Sequence, residues 1–213
     1  MAQNDTAEKI LHAATLLFSE RGFSETSLRT ITGMAEVNVA AVNYHFGSKK
    51  ELIQAVFARF LLPISKKLEM SLDELEARNG LGAIDSEQLL KLLFDVIIDV
   101  SSEIGDDPQR FMRLLGLAYS QTQEHLRHFI VNQFGDTYHR VITLLDNTLP
   151  GLTPVEFYWR LYFMMGAAVF TLSSFDAIRS ILNADYKQDT TMAEVVELMV
   201  PAMGRLLGSS HAK

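Results

Sequence analysis

Residues 27–49 read SLRTITGMAEVNVAAVNYHFGSK, and this stretch decides the fold. Its apolar residues recur at helical spacing in two short runs, separated by a turn of about three residues. Thr26 and Ser27 can cap the first helix, and the second begins near Asn38. The apolar positions that would hold the two helices together are Leu28, Ile31, Ala35, Val37 and Val42. The pattern predicts a helix-turn-helix unit.

The outer face of the second helix carries small and polar side chains. Asparagine can pair with both hydrogen-bonding groups of adenine in the major groove, and an alanine methyl can contact the methyl of thymine. Hydroxyls, imidazoles, ammonium groups and helix-start amides suit phosphate oxygens. The residues expected at a DNA interface are Thr26, Ser27, Arg29, Thr30, Asn38, Ala40, Ala41, Asn43, Tyr44, His45 and Lys49. For the aromatic run 44–46 alone, the end of an ordinary core helix is the alternative.

A first helix precedes this unit. Apolar residues recur at helical spacing between Ile10 and Phe18, and Asp5 and Glu8 stand where an N-cap and its N3 partner are expected. The Arg21-Gly22 pair predicts the end of this helix. Residues 1–48 therefore hold three short helices and form the first predicted domain.

A long helix follows the unit and opens the second predicted domain, residues 49–213. Ser48 caps this helix, which extends to about Ala77, and Pro63 should kink it or cut it in two, because proline lacks an N–H donor and clashes with the preceding turn. Further helical patterns span residues 86–104, 108–122 continuing to 149 with a break, 154–182 and 191–207. No strand pattern is convincing, so we expect an all-α fold of about nine helices.

Composition and charge limit the class of protein. The chain has 213 residues, 48% of them hydrophobic, and no cysteine, which excludes disulfides and thiolate metal sites. Residues 1–50 carry as many basic as acidic side chains, so the net charge of −7 lies in residues 51–213, outside the segment assigned to DNA. Residues 1–20 are too polar for a signal peptide, and the apolar stretch 157–175 suits a packed helix better than a bilayer span. We expect a cytoplasmic protein without a membrane partner.

The sequence also argues against an enzyme. His125 and His128 are three residues apart with Glu124 beside them and His139 further along, a spacing possible for a metal pair but typical of surface or core histidines. Neither a glycine-rich phosphate loop nor a Ser-His-Asp pattern is present. We expect no cofactor, no metal and no catalytic residue.

The first 55 residues resemble the TetR family of transcriptional regulators. Residues 42–52 read VNYHFGSKKEL and residues 13–23 read AATLLFSERGF, which match that family's aromatic-rich recognition helix, its Ser-Lys pair and its first helix. The resemblance implies a homodimer on operator DNA and a C-terminal domain that binds a small molecule. Two positions depart from the family pattern. Glu36 stands where glycine is usual, so strain of about 1 kcal/mol is expected in the turn, and Asn43 replaces a common tyrosine and is expected to read bases.

A finer resemblance is to the PsrA-type, fatty-acid-responsive branch. It rests on residues 37–50, VNVAAVNYHFGSKK, and on residues 52–61. It implies a repressor of fatty-acid degradation genes that long-chain fatty acids or acyl-CoA esters release. Two alternatives remain: a TetR-type repressor of an efflux or stress operon with a drug-like or other lipid inducer, and a helical interaction module that no longer binds DNA.

The C-terminal helices supply candidates for the effector site and for the dimer interface. Apolar walls and a nearby cation would suit an acyl chain with an anionic head. The effector candidates are Phe94, Ile97, Phe111, Arg113, Leu114, Leu117, Phe129, Phe163 and Phe170. The four-helix interface that the resemblance implies would use Phe163, Ala167, Phe170, Val195, Leu198, Met199 and Met203. Each apolar residue in both sets is equally expected in the core of a single subunit.

Overall fold

The computed structural model describes residues 2–80, 84–121 and 123–208, without the side chains of residues 2–4. Within these ranges the chain is all-helical, which confirms the predicted fold class. The ten helices are α1 (Ala2–Glu25), α2 (Leu28–Met34), α3 (Val39–Phe46), α4 (Lys49–Asn79), α5 (Ser86–Glu103), α6 (Pro108–Ser120), α7 (Glu124–Asn147), α8 (Pro154–Ser173), α9 (Phe175–Tyr186) and α10 (Met192–Gly208).

The first three helices pack around one apolar centre. Ile31 of α2 and Val42 of α3 are fully buried, together with Phe18 and Phe23 of α1. The Phe18 and Phe23 rings meet edge to face at 5.5 Å. This contact depends on Gly22, whose φ of 83° breaks the helical geometry of α1 and turns Phe23 inward.

Helix α1 begins earlier than the sequence predicted. It starts at Ala2, so Asp5 lies in its first turn and pairs with Lys9 at 2.8 Å instead of capping the helix. An i,i+4 pair of exposed side chains contributes little to stability. The predicted stop at Arg21-Gly22 coincides with the break in helical geometry at Gly22.

Helix α4 is continuous from Lys49 to Asn79, so the predicted cut at Pro63 does not occur. Ser48 caps it by accepting a hydrogen bond from the backbone N–H of Glu51 at 3.3 Å. Its inner face holds Leu52, Val56, Phe60, Ile64, Leu68 and Leu72, all buried. The burial of this long stripe on both sides of Pro63 outweighs the loss of one backbone hydrogen bond. One helix thus runs from the first three helices into the rest of the molecule.

The next helices begin where local chemistry predicts. Asp85 forms a capping box with Gln88 at the start of α5, and Asp107 caps α6 with Pro108 in its first turn. The segment predicted from residue 108 to 149 is two helices, α6 and α7, as the expected break implied. Arg140 of α7 forms ion pairs with Glu69, Asp73 and Glu76 and ties α7 to the end of α4.

The predicted helix over residues 154–182 is wrong, because the chain breaks at Ser174. Helices α8 and α9 meet there at an angle of 67°. No residue of α9 is buried, so this helix projects from the body while α8 packs on α6 and α10. Within the described ranges no single helix has the length and apolarity to span a bilayer, and α8 and α9 reach them only as a bent pair.

Candidate nucleic-acid interface

Helix α3 presents one face outward because Val42 anchors the other. Val42 is fully buried, while Ala40 and Asn43 are exposed and the Tyr44 ring is 72% exposed. The ring of His45 lies edge to face against Tyr44, with centroids 5.0 Å apart. A short helix with small and amide side chains at its exposed positions has the shape and chemistry that the DNA major groove admits.

The turn between α2 and α3 adopts the backbone that the sequence predicted to be strained. Glu36 has a φ of 56°, in the left-handed region, and the N–H of Val37 donates to the carbonyl of Thr32 at 3.0 Å. Glycine adopts this conformation without a steric penalty, whereas a residue with a Cβ does not. The turn is therefore built at a cost in folding free energy.

Two of the expected DNA contacts are helix caps. The Oδ1 atom of Asn38 accepts a hydrogen bond from the N–H of Ala40 at 2.9 Å, and the Oγ atom of Ser27 accepts one from the N–H of Thr30 at 3.1 Å. One lone pair of the Asn38 Oδ1 atom is therefore engaged by the first turn of α3. Asn43 lies beyond the cap on the exposed face.

Thr26 cannot contact a phosphate, contrary to the prediction. It is fully buried, and its hydroxyl donates to the main-chain carbonyls of Gly22 at 2.8 Å and Leu17 at 3.2 Å. The Gly22 carbonyl lies at the break in α1, where intrahelical donors run out. Thr26 therefore ties α1 to α2. Of the other α2 candidates, Arg29 is exposed and Thr30 is half-buried.

Lys49 lies at the edge of this face and is half-buried. Burial lowers its pKa below the usual lysine value, and the nearby Glu25 carboxylate opposes that shift. Lys49 also lines a groove of about 810 Å³ that reaches the start of α7. The exposed Lys50 lines the same groove and was missed by sequence reasoning, although its position beside Lys49 in the first turn of α4 was a signal.

The structure does not gather the predicted effector residues into one cavity. Phe94, Ile97, Phe111 and Leu114 are buried in the core, where the Phe111 ring stacks on Phe60 at 5.1 Å. Phe129 packs on that core from its edge, whereas Phe163 and Phe170 are exposed. The core residues and the two exposed phenylalanines therefore do not face a common space.

Arg113 and Leu117 do share a space, a cleft of about 360 Å³ between α6 and the end of α1. Its other walls are Ser19, Glu20, Arg21, Gly22, Gly116, Ser120 and Ser173. Most of the residues that line this cleft are polar or charged, whereas an acyl chain requires apolar walls. The Nε atom of Arg113 donates to the carbonyl of Ser173 at 3.0 Å, so this cation is engaged within the subunit.

The predicted interface residues divide into three groups by their exposure. Phe163, Ala167 and Phe170 are exposed along α8, and Leu198 of α10 is 76% exposed. Val195 and Met199 are half-buried and pack on the core. Met203 is 3% exposed and belongs to the subunit's own core, so its prediction as an interface residue is wrong: the apolar stripe of α10 turns this position toward α5 and α8.

The two histidines near the start of α7 lie in different environments. His125 is half-buried and burial lowers its pKa, whereas His128 is exposed, with its Nε2 atom 3.7 Å from Glu124. In the part of the chain that the structure describes, no group of three or more His, Cys, Asp or Glu residues is placed to hold a metal ion.

A three-helix unit with an exposed α3, joined by α4 to a larger helical body, defines a helix-turn-helix regulator fold. The family model described as bacterial regulatory proteins, tetR family, matches residues 10–56, and the tetracyclin repressor-like C-terminal domain matches residues 91–204. The second match alone spans more than half of the chain. The protein belongs to the TetR family.

Curated relatives match less than half of the chain. The probable HTH-type transcriptional regulator YttP of Bacillus subtilis is 37% identical over 92 residues, 43% of this chain and 42% of the relative. The repressor NicS of Pseudomonas putida is 32% identical over 94 residues, 44% of this chain and 41% of the relative. The matched segments thus span less than half the length of these curated relatives.

Solved structures match the whole fold at low identity. HlyIIR, a hemolysin II transcriptional regulator, superposes with a TM-score of 0.55 at 19% identity, covering 94% of this chain and 97% of that chain. The fatty acid degradation regulator FadR of Bacillus halodurans gives a TM-score of 0.53 at 16% identity, with 98% and 97% covered. These likenesses show the arrangement of an N-terminal helix-turn-helix domain and a C-terminal helical domain.

Proposed function

We propose that the protein is a sequence-specific repressor that binds operator DNA through α3. The observation that carries this proposal is the exposure of Asn43 and Tyr44 beside a fully buried Val42, which fixes α3 with its polar side outward. Asn43 reads an adenine, and Tyr44, Lys49 and Arg29 contact phosphates. We also propose that residues 1–48 form the DNA-binding domain and residues 49–213 the regulatory domain.

The repressor acts as a homodimer. The exposed apolar side chains of α8 and α10, among them Trp159, Phe163, Phe170 and Leu198, form a surface that a monomer would leave in water. Trp159 and Phe163 stack with centroids 6.1 Å apart, which presents a flat aromatic patch. Two-fold pairing through this surface would place two α3 helices on half-sites about one duplex turn, ~34 Å, apart.

A small molecule releases the repressor by favouring a state in which the two α3 helices are spread. Two helices connect the regulatory domain to the first three helices: α4, which packs on α1 and α3 as well as on α5 and α7, and α6, which packs on both α1 and α8. A ligand shifts the equilibrium only by the difference in its affinity for the two states. The effector must therefore bind the spread state more tightly.

Long-chain fatty acids or their acyl-CoA esters are the first inducer class. The support is the resemblance of residues 37–50 and 52–61 to the fatty-acid-responsive branch. FadR of Bacillus halodurans shares the fold at 16% identity, so it adds only that this fold occurs in a fatty acid degradation regulator. Control of fatty-acid degradation genes follows from this inducer class.

An aromatic, drug-like inducer is the second candidate. Tyr158 and Tyr162 of α8 lie 4.7 Å apart by ring centroids, and Tyr119 of α6 meets Tyr162 edge to face at 6.1 Å. Burial and a hydrogen bond with Tyr158 raise the pKa of Tyr162, so its phenol stays protonated as a donor. Such a cluster stacks on planar rings.

The deciding experiment is a gel shift on the promoter region of the protein's own gene, at fixed salt, with oleoyl-CoA, oleate and an unrelated aromatic drug. Release by an acyl ligand alone supports the first inducer class, and release by the drug alone supports the second. A shift that none reverses keeps the repressor and removes both inducers. Absence of binding to any DNA at low salt would leave a helical interaction module as the function.

A further inference from the structure

A groove of about 810 Å³ lies where the first three helices meet the C-terminal body, and we call it the junction groove. Its walls come from the end of α1, the start of α4 and the start of α7. The lining residues are Phe23, Ser24, Lys49, Lys50, Ile53, Gln123, Glu124, His125 and His128. It lies away from the core residues predicted to hold an effector, none of which lines it.

The side chains of the junction groove are unbalanced in charge. Two lysines line it, against one carboxylate, Glu124, which lies 3.7 Å from the Nε2 atom of His128. Among the described residues neither Lys49 nor Lys50 forms a salt bridge, although Glu25 acts on Lys49 at longer range. Cations that share a groove without ion-pair partners attract an anion, because its charge compensates their partial desolvation.

The backbone adds to this positive field. The first turns of α4 and α7 both border the groove, and the N–H groups of a first helical turn favour an anion. Gln123, the N-cap of α7, forms no side-chain capping hydrogen bond. The Nε2 atom of His125 is buried and has no hydrogen-bond partner among the described residues. A buried polar atom left in this way is open to a hydrogen bond from a group that enters the groove.

We propose that the junction groove binds a phosphorylated small molecule, held by Lys50, by the Nε2 atom of His125 and by the first-turn amides of α7. The volume exceeds what one phosphate group fills and suits a small metabolite. Because the walls belong to α1, α4 and α7 together, an occupied groove fixes the first three helices relative to the body. The binding itself is independent of the proposed repressor function, and only its effect on operator affinity rests on that function.

The test uses isothermal titration calorimetry on the full chain, without DNA, with inorganic pyrophosphate as the probe and chloride adjusted to constant ionic strength. We expect saturable binding that Lys50→Ala and His125→Asn each weaken about tenfold or more. Lys66→Ala is the matched control, since Lys66 is an exposed lysine of the same helix outside the groove. Its affinity for pyrophosphate should equal that of the parent. Lys50 is exposed, so its variant carries the test if His125→Asn does not fold.

Two results would overturn the site. One is the absence of saturable pyrophosphate binding. If Lys50→Ala nevertheless weakens DNA binding, Lys50 contacts DNA phosphates and does not hold a small anion. The other is equal affinity in all four proteins, which indicates a diffuse charge effect. Pyrophosphate binding with the expected variant pattern, but without binding to any DNA, would establish the groove and reject the repressor function.

Discussion

Arg113 donates a hydrogen bond from its Nε atom to the carbonyl oxygen of Ser173, at 3.0 Å, and so joins α6 to the last turn of α8. The Nε2 atom of Gln109 donates to the same oxygen, also at 3.0 Å. This carbonyl lies immediately before the break at Ser174, where the chain turns into α9. The two donors of α6 therefore hold the point at which α8 stops.

The shared acceptor makes the effects of Gln109→Ala and Arg113→Ala non-additive. Each single change leaves the Ser173 carbonyl with one donor, whereas the double change leaves it with neither. We expect the double variant to lose about 1 kcal/mol more unfolding free energy than the two singles combined. Urea denaturation of the four proteins measures this difference, and strict additivity would show that the two contacts act separately.

Asn43→Ala should reduce sequence preference more than overall affinity. An asparagine that reads adenine contributes about 1–3 kcal/mol of discrimination, whereas a phosphate contact weakens all sequences alike when removed. Fluorescence anisotropy on the operator and on random DNA compares the two. Lys49→Ala is the control for the removal of a phosphate contact, and it should reduce the affinity for both DNAs equally. Equal losses for Asn43→Ala would remove Asn43 from base reading.

Glu36→Gly should raise the unfolding free energy by about 0.5–1 kcal/mol. The left-handed backbone at φ 56° costs a residue with a Cβ about 1–2 kcal/mol, of which the added freedom of glycine in the unfolded chain cancels a part. Glu36→Ala separates this strain from charge, because it removes the carboxylate and keeps the Cβ. Thermal and urea unfolding should show stabilisation for glycine only, and an equal gain for alanine would attribute the effect to charge.

The sequence was sufficient to predict those structural features that depend on neighbouring residues in the chain. Ser27 and Ser48 mark helix starts through hydrogen bonds to their own first turns, and the structure has them there. The prolines at 108 and 154 mark two further starts, because their fixed φ suits a first helical turn and no N–H is needed there. The strain at Glu36 was expected from the family resemblance, since glycine is usual at this position, and the structure has its φ at 56°. The core positions of α2 and α3 also follow from their spacing.

The sequence was insufficient wherever a side chain's environment is set by distant parts of the chain. Thr26 has a hydroxyl suited to phosphate, but the carbonyls of α1 enclose it. Met203 belongs to an apolar stripe that fits a partner or the subunit's own core equally well. The break at Ser174 carries neither glycine nor proline, and its apolar pattern continues through it, so only the packing of α8 on α6 and α10 reveals it.

Phe163→Glu should convert the proposed dimer to a monomer. Phe163 is 57% exposed in the subunit, and a carboxylate there would be buried without a partner at an apolar interface. Light scattering after size exclusion should show a fall from twice the chain mass to 23.9 kDa. Leu62→Glu is the matched control, since Leu62 is 59% exposed on α4, away from this surface, and its variant should keep the parent's mass. A monomeric parent protein would reject the interface itself.

His125 should make the folded protein less stable as the pH falls below about 6.5. Burial is the main cause of its lowered pKa, and the Lys50 charge adds to it, so the folded state disfavours the proton that the unfolded chain accepts near pH 6.5. The stability contribution is complete above that pH and is lost as the pH decreases, because the unfolded state then binds more protons.

Urea denaturation between pH 5.5 and 7.5, at about half-unit steps, compares the parent with His125→Asn, whose profile should be flatter. Pyrophosphate should reduce the acid sensitivity of the parent, because an anion in the junction groove stabilises protonated His125. Identical profiles for the two proteins would show that His125 titrates in the folded state as it does in the unfolded chain.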